Sequence, residues 1–190
     1  MVDCFVFTKI KNPGIHPTKR VFNYADFYIF VANNNQAMYY TGEEIIGIAV
    51  RIEENGNAFY QAAADIIKTD SDTRKLFLDL AEKEISHIGI FQKMAEKFQP
   101  EDFEFNIEEA SDYINYLADQ HIFGKPDSGK TLAKTIKTPR EALEIAFKFE
   151  NDSVTFYTEL EKKAKHDSKK LVRQIIEEEM EHAEEIKRFL

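Results

Sequence analysis

The chain carries the same arrangement of glutamate and histidine twice. A lone glutamate, Glu53, precedes a Glu-x-x-His sequence at 84–87, and a second lone glutamate, Glu150, precedes another at 179–182. Each lone glutamate is followed by a small residue at the third position and by Phe-Tyr at the sixth and seventh. The repeated residues are Glu53, Glu84, His87, Glu150, Glu179 and His182, with Tyr60 and Tyr157 downstream of the lone glutamates.

Hydrophobic periodicity predicts four long helices around these residues. Apolar or small residues recur at alternating spacings of four and three, which places them along one face of a helix. Corresponding positions lie 97 residues apart in the first and third segments and 95 apart in the second and fourth. We therefore infer an internal duplication of a helical hairpin. The predicted faces comprise Ala49, Glu53, Gly56, Tyr60, Ala63 and Ile67 in the first segment; Phe77, Leu80, Glu84, His87, Phe91 and Met94 in the second; Ala146, Glu150, Ser153, Tyr157, Leu160 and Ala164 in the third; and Val172, Ile175, Glu179, His182, Ile186 and Phe189 in the fourth.

Capping signals mark the start of each half. Thr41 and Glu44 have the spacing of a capping box, in which the two side chains satisfy free backbone N–H groups at a helix start. Thr138 and Glu141 form a second capping box, with Pro139 at the first helical position, where its missing N–H costs nothing.

Residues 99–138 are predicted to form a long crossover that contains a short helix beginning at Asn106. Two hairpins joined by one long crossover is a known connectivity of four-helix bundles, so an all-α fold is predicted. The crossover also matches the phosphate-loop pattern G-x-x-x-x-G-K-[ST] at 124–131. That motif requires a buried strand before it. Here it follows a predicted helix, and we interpret it as a mobile turn.

The glutamates and histidines lie on helix faces that otherwise carry leucine, isoleucine, phenylalanine and alanine. A buried carboxylate costs several kcal/mol unless it is paired or coordinated. Four converging carboxylates would repel one another, and two divalent cations would cancel that charge. The i, i+3 spacing puts each Glu and His on one helix face. The sequence therefore predicts a di-metal site at the centre of the bundle.

Alternatives to this interpretation stay open. One is a bundle that holds buried Glu–His hydrogen bonds without metal, and the other is a helix register that is wrong by one position. Tyr60 and Tyr157 have two interpretations as well: their hydroxyls support ligand carboxylates, or they are ordinary core aromatics. The acidic residues that a register error would turn inward are Glu54, Glu82, Glu177, Glu178 and Glu181.

Composition excludes several classes of function. The 190 residues are 43% hydrophobic and 31% charged, as in a globular protein. The formal net charge is −9, which is a poor match to nucleic acid or to anionic lipid. No run approaches the length of a membrane helix. Because Cys4 is the single cysteine, one chain can form neither a disulfide nor a cysteine-based metal site. A cytoplasmic location is consistent with this use of cysteine.

Residues 1–37 differ from the rest of the chain. They are rich in phenylalanine and tyrosine and lack helix signals. We predict an aromatic-rich N-terminal extension, followed by one helical domain over 38–190. Three interpretations of the extension stay open: a hairpin, an arm onto a partner, or sequence upstream of a natural start at Met38.

With these residues in place, residues 41–190 resemble the ferritin-like superfamily and, within it, the rubrerythrin-like proteins. The resemblance implies a ferritin-like antiparallel four-helix bundle, built here from two duplicated helical hairpins and a long crossover with a short helix. It also implies that the six glutamates and histidines hold two iron ions, with manganese or zinc as substitutes. Glu84 and Glu179 would bridge the metals, and His87 and His182 would each bind one.

Two departures from the rubrerythrin pattern change what is implied. Rubrerythrins carry a rubredoxin domain with a four-cysteine iron site, and this chain has no such cysteines. The electron donor is then expected to be another protein, such as a rubredoxin. Rubrerythrins also have an additional carboxylate where this chain has Ser153. The iron movement that depends on that carboxylate is therefore not implied, and a simpler, more symmetric site is expected.

The function predicted is that of a di-iron oxidoreductase that reduces H2O2 or O2, oxidises ferrous iron, or does both. Carboxylates suit iron in both oxidation states, and neutral imidazoles fill the remaining positions. A homodimer is expected, with no nucleic acid or membrane partner. The alternatives are an iron-binding or iron-handling module without turnover and, least favoured, a purely structural bundle.

Overall fold

A computed structural model describes residues 42–68, 70–97 and 120–190, with side chains from Ile45 onward. The extension over 1–37, the capping box at Thr41 and the predicted helix start at Asn106 all lie outside the described residues. Within them, every regular element is a helix. The helices are α1 (Gly42–Ile66), α2 (Ser71–Lys97), α3 (Ser128–Ala133), α4 (Pro139–Lys163) and α5 (His166–Lys187).

The four long helices pack as a bundle around one core. Helix α1 lies along α2, and α4 lies along α5, and these two pairs make the most extensive contacts. The pairs meet where α2 contacts α5 and α1 contacts α4. The short helix α3 packs on the outer side of α1. All four long helices therefore contribute to one interior.

Local sequence explains where α2 and α4 begin. The Asp70 carboxylate accepts hydrogen bonds from the backbone N–H of Thr73 at 3.0 Å and from its hydroxyl at 2.7 Å. The Thr138 hydroxyl accepts from the N–H of Glu141 at 3.2 Å, as the second capping box predicts. The Glu141 carboxylate accepts from the N–H of Lys137 instead of closing the box on Thr138. These side chains satisfy N–H groups that have no partner within the helix.

The predicted helix faces are the buried ones. In α2, all six residues from Phe77 to Met94 that share the predicted face are buried, and the same holds for the predicted faces of α1 and α4. The face predicted for α5 is buried from Val172 to Ile186. The prediction that Phe189 belongs to this buried face is wrong. Its side chain is 43% exposed, because the helix has already ended at Lys187.

The segment that matches the phosphate-loop pattern packs against α1. The buried amide of Asn55 donates to the carbonyl oxygens of Phe123 at 3.0 Å and Lys125 at 2.9 Å, and its oxygen accepts from the N–H of Gly129 at 3.3 Å. A Cβ on Gly129 would overlap the backbone of Asn55. The backbone N–H of Gly129, which a phosphate would need as a donor, is therefore already bonded to Asn55. The expected mobile turn leads instead into the docked helix α3.

No described helix is both long enough and apolar enough to cross a membrane.

Gly129→Ala should destabilise the protein, because the added methyl group has no room against the α1 backbone. We expect a loss of about 1–3 kcal/mol in the free energy of unfolding, typical of overpacking. Gly89→Ala in α2 is the matched control, since nothing lies within 4 Å of its added Cβ. It should gain about 0.5–1 kcal/mol from helix propensity. Urea unfolding measures both, and equal stability of the two variants would contradict the close packing of α3.

Candidate metal centre

Each long helix brings one or two polar side chains to the centre of the bundle. α1 contributes Glu53 and α4 contributes Glu150, whereas α2 and α5 each contribute a Glu–His pair. The exposed fraction is 2% for His182 and 0% for the other five side chains. The sequence-predicted residues brought together are Glu53, Glu84, His87, Glu150, Glu179 and His182.

The six side chains form two overlapping groups. Ligand atoms of Glu53, Glu84, His87 and Glu179 all lie within 4.8 Å of one another, and those of Glu84, Glu150, Glu179 and His182 do the same. Glu84 and Glu179 belong to both groups. The arrangement has room for two cations with two shared carboxylates, which is what the resemblance implies. Their role as metal ligands stays a prediction.

Both histidines turn Nδ1 towards the carboxylates. Nδ1 of His87 lies 3.1 Å from Oε1 of Glu179 and 3.5 Å from Oε2 of Glu53. Nδ1 of His182 lies 2.9 Å from Oε2 of Glu179 and 3.7 Å from Oε2 of Glu150. The two imidazole rings stack, with centroids 5.6 Å apart and planes 18° from parallel.

The close contacts do not satisfy the polar atoms. None of them has the geometry of a hydrogen bond to Nδ1 of either histidine. Both oxygens of Glu84 and of Glu179 also lack a donor, as does Oε2 of Glu53 and of Glu150. Buried polar atoms are normally hydrogen-bonded. Eight that are not, all facing one point, indicate a site that is completed by a ligand.

Two tyrosines hold the lone glutamates from the opposite half. The Tyr60 hydroxyl on α1 donates to Oε1 of Glu150 on α4, and the Tyr157 hydroxyl on α4 donates to Oε1 of Glu53 on α1. Both tyrosines are fully buried. Burial, and next the nearby carboxylates, raise the pKa of both hydroxyls well above the ordinary range, so they keep their protons. The hydroxyls therefore bond candidate ligand carboxylates, and each one reaches the lone glutamate of the opposite half.

Without metal, charge in the centre is balanced by protons. Burial raises the pKa of Glu84 well above its usual value, and the charges of Glu53 and Glu179 raise it further. Burial, together with the charge of Glu179, raises the pKa of Glu150 to about 8. For Glu179 burial acts in the same direction, but the two histidines outweigh it and lower its pKa.

The histidines take up the complementary protons. Burial lowers the pKa of His182, but the carboxylates of Glu150 and Glu179 outweigh it and raise the pKa to about 9. Burial also lowers the pKa of His87, but the neighbouring carboxylates outweigh it and raise that pKa, Glu179 most strongly. Metal ligands must be deprotonated, so cations entering this centre would displace these protons.

Glu178 reaches the centre from outside. Of the acidic residues that a register error would turn inward, Glu54, Glu82, Glu177 and Glu181 are exposed, whereas Glu178 is half-buried. Its Oε2 lies 2.9 Å from Nε2 of His87. A carboxylate only accepts, so Nε2 carries the hydrogen and the lone pair of neutral His87 lies on Nδ1, which faces the carboxylates.

A second group of side chains anchors residues 121–129 beside the centre. Asp152 accepts from the N–H of Ile122 at 3.1 Å, and it occupies the same place after Glu150 that Asn55 occupies after Glu53. His121 is buried and accepts at Nδ1 from the N–H of Phe123 at 3.1 Å, so its Nε2 donates to Ser153 at 3.1 Å. His121 is thus part of the core rather than of the candidate centre.

Sequence reasoning missed Asn55 and Asp152, and it named Glu178 only as a residue that a register error would turn inward. Asn55 and Asp152 lie at matching positions of the repeat, so the repeat itself could have identified them as a pair. Glu178 offers no such signal, since the matching position in the first half is Lys83.

Burial lowers the pKa of His121 to about 4. The folded protein then keeps His121 neutral while the unfolded chain takes up a proton near pH 6.5. Stability should therefore fall as pH drops from about 6.5 to 4, by about 3 kcal/mol from this residue. Urea unfolding of wild type and His121→Gln across this range measures the difference. The wild type should lose its stability advantage in acid; parallel curves would contradict a neutral buried His121.

Glu84→Gln should have opposite effects on metal-free and metal-loaded protein. Without metal, it replaces a carboxyl whose ionised form is disfavoured by burial and by the neighbouring carboxylates with a neutral amide that can donate to them, and we expect a gain of about 1 kcal/mol or more. With Zn2+ present, the wild type should gain thermal stability and the variant should gain much less. Glu82→Gln, exposed on the same helix, is the control and should leave both melting temperatures unchanged. A Glu84→Gln protein that melts lower without metal would count against this account of the centre.

Comparison with known proteins places the chain in a family. Searches of curated proteins and of solved structures each returned no significant match. The family model described as Rubrerythrin matches residues 44–123 and 141–190, which include all six residues of the candidate centre. Because this match covers more than half of the sequence, the chain belongs to the Rubrerythrin family.

Proposed function

We propose that this protein is a di-iron oxidoreductase that reduces H2O2 or O2, oxidises ferrous iron, or does both. One observation carries the proposal. In the part of the chain that the structure describes, the only buried side-chain polar atoms without a hydrogen-bond partner are eight atoms of the six candidate ligands. Desolvating such atoms without a partner costs free energy, and a bound cation would offset that cost.

The donor set fits iron. Four carboxylates and two imidazoles suit a divalent first-row metal, and this combination is found in ferritin-like di-iron proteins. Glu53 and His87 would hold one ion, Glu150 and His182 the other, with the remaining two glutamates within reach of both. Two ferrous ions bound side by side would supply two electrons, which with two protons from solvent reduce one H2O2 to two molecules of water. Manganese or zinc would be accepted by the same donors.

The surrounding side chains prepare the centre for this chemistry. The two tyrosine hydroxyls fix one oxygen of Glu150 and of Glu53 and leave the other oxygen turned inward. Aromatic rings close the site around them: Phe91 lies 5.1 Å from Tyr157, and Phe77 lies 5.6 Å from Tyr60 between ring centroids. Ligands that are oriented before the metal binds lose little entropy on binding, and the apolar surroundings exclude water.

Reduction of peroxide needs a supply of electrons from outside the chain. With Cys4 as its single cysteine, the chain has no four-cysteine iron site of its own. We propose that a separate electron-transfer protein, such as a rubredoxin, reduces the metal pair. We also propose that the chain forms a homodimer and is located in the cytoplasm. The four long helices would derive from a duplicated helical hairpin, with a long crossover between the two copies.

Metal loading tests the proposal. Anaerobic addition of Fe2+ should give two irons per chain in the wild type and far fewer in Glu53→Ala/Glu150→Ala, which lacks one carboxylate on each side. Glu54→Ala/Glu177→Ala removes two exposed carboxylates and should load normally. H2O2 should then produce near-ultraviolet absorption of ferric iron in the wild type and the control.

The outcomes separate the candidate functions. Steady consumption of H2O2 with an added reductant would identify a peroxidase, and iron uptake beyond two ions per chain would identify a ferroxidase. Two bound irons that react with neither H2O2 nor O2 would point to an iron-handling module. A wild type without stoichiometric metal would overturn the proposal and leave a structural bundle.

A further inference from the structure

The two histidines of the centre have different surroundings on their outer side. Nε2 of His87 is hydrogen-bonded to Glu178, whose other oxygen accepts from Nε2 of Gln174 at 2.8 Å. This second bond holds the Glu178 carboxylate in place. Nε2 of His182 has no hydrogen-bond partner among the described residues.

The repeat explains the difference. Positions in α2 and α5 correspond at an offset of 95 residues, so the counterpart of Glu178 is Lys83. A lysine ammonium has only donors and cannot accept from the N–H of an imidazole. The Lys83 ammonium instead lies 3.2 Å from a carboxylate oxygen of Glu185. The inner ligands are repeated in both halves, but among the described residues a carboxylate bonds the outer nitrogen of the histidine in one half only.

We propose that Glu178 is a positioning residue that makes the metal position of His87 and Glu53 the tighter of the two. A carboxylate that accepts from the outer N–H of a histidine fixes the ring and makes its other nitrogen a stronger ligand. Glu178 also places a negative charge beside this position, whereas its counterpart Lys83 carries a positive charge that is paired with Glu185. Both effects favour cation binding at His87. The position of His182 and Glu150 is then the weaker one, filled second and emptied first.

This inference rests on the metal binding of the proposed function, but not on its redox chemistry. Zn2+ is therefore a suitable probe, because it is redox-inactive and diamagnetic. Adding it stepwise to metal-free protein, while the histidine rings are followed by 1H–15N NMR, reports which position fills first. His87→Gln and His182→Gln assign the two sets of ring signals, and calorimetry gives the two affinities.

In the wild type, the His87 ring should respond to the first equivalent of Zn2+ and the His182 ring to the second. Glu178→Gln should weaken the first binding step about tenfold and remove this order. Glu177→Gln removes the same charge one residue away, from an exposed side chain without a described contact, and should keep both the order and the affinity. Circular dichroism confirms that both variants are folded.

The proposal is overturned if the wild type fills the His182 position first or both together, or if Glu178→Gln behaves as the wild type does. A loss of order in Glu177→Gln as well would show a general charge effect and would also overturn it. If Zn2+ binds in the expected order but iron-loaded protein reacts with no oxidant, the oxidoreductase proposal fails alone. A wild type that binds neither Zn2+ nor iron removes both.

Discussion

Repulsion among four buried carboxylates is the main constraint on the interior of this bundle. Removing one carboxylate from water is already costly, and placing four within one cluster adds mutual repulsion. In the metal-free protein, protons on Glu84, Glu150 and the histidines reduce that charge. The tyrosine hydroxyls, the aromatic rings and the outer Glu178 all act on the same cluster. Their positions are understandable only if the carboxylates must stay together and face inward.

This cost also explains why the sequence was so informative. Helical periodicity shows which face of each helix is buried, and polar residues on such a face must have a reason to be there. The register of α1, α2 and α4 was therefore predicted residue by residue. The end of α5 was not, because Phe189 continues the apolar pattern beyond the last helical turn. Periodicity does not report where a helix ends.

Contacts between distant segments were less predictable for a physical reason. The sequence indicated that the tyrosine hydroxyls support ligand carboxylates, but it did not say which carboxylate each hydroxyl reaches. The structure pairs each tyrosine with the other half, because two helical turns separate the residues within one helix while the facing helix is close. Likewise, nothing local shows that Asn55 holds residues 123–129. Such partners are set by tertiary packing, which no single segment encodes.

The crossed tyrosine contacts distinguish two carboxylates that are held by a hydrogen bond from two that are not. Glu53 and Glu150 are each tethered by a hydroxyl from the opposite half, so neither can rotate without giving up a buried hydrogen bond. Glu84 and Glu179 have no such tether among the described side chains. If the centre binds metal ions, Glu84 and Glu179 would be the carboxylates free to change how they bind them. The adaptable part of the centre lies on α2 and α5, and the rigid part on α1 and α4.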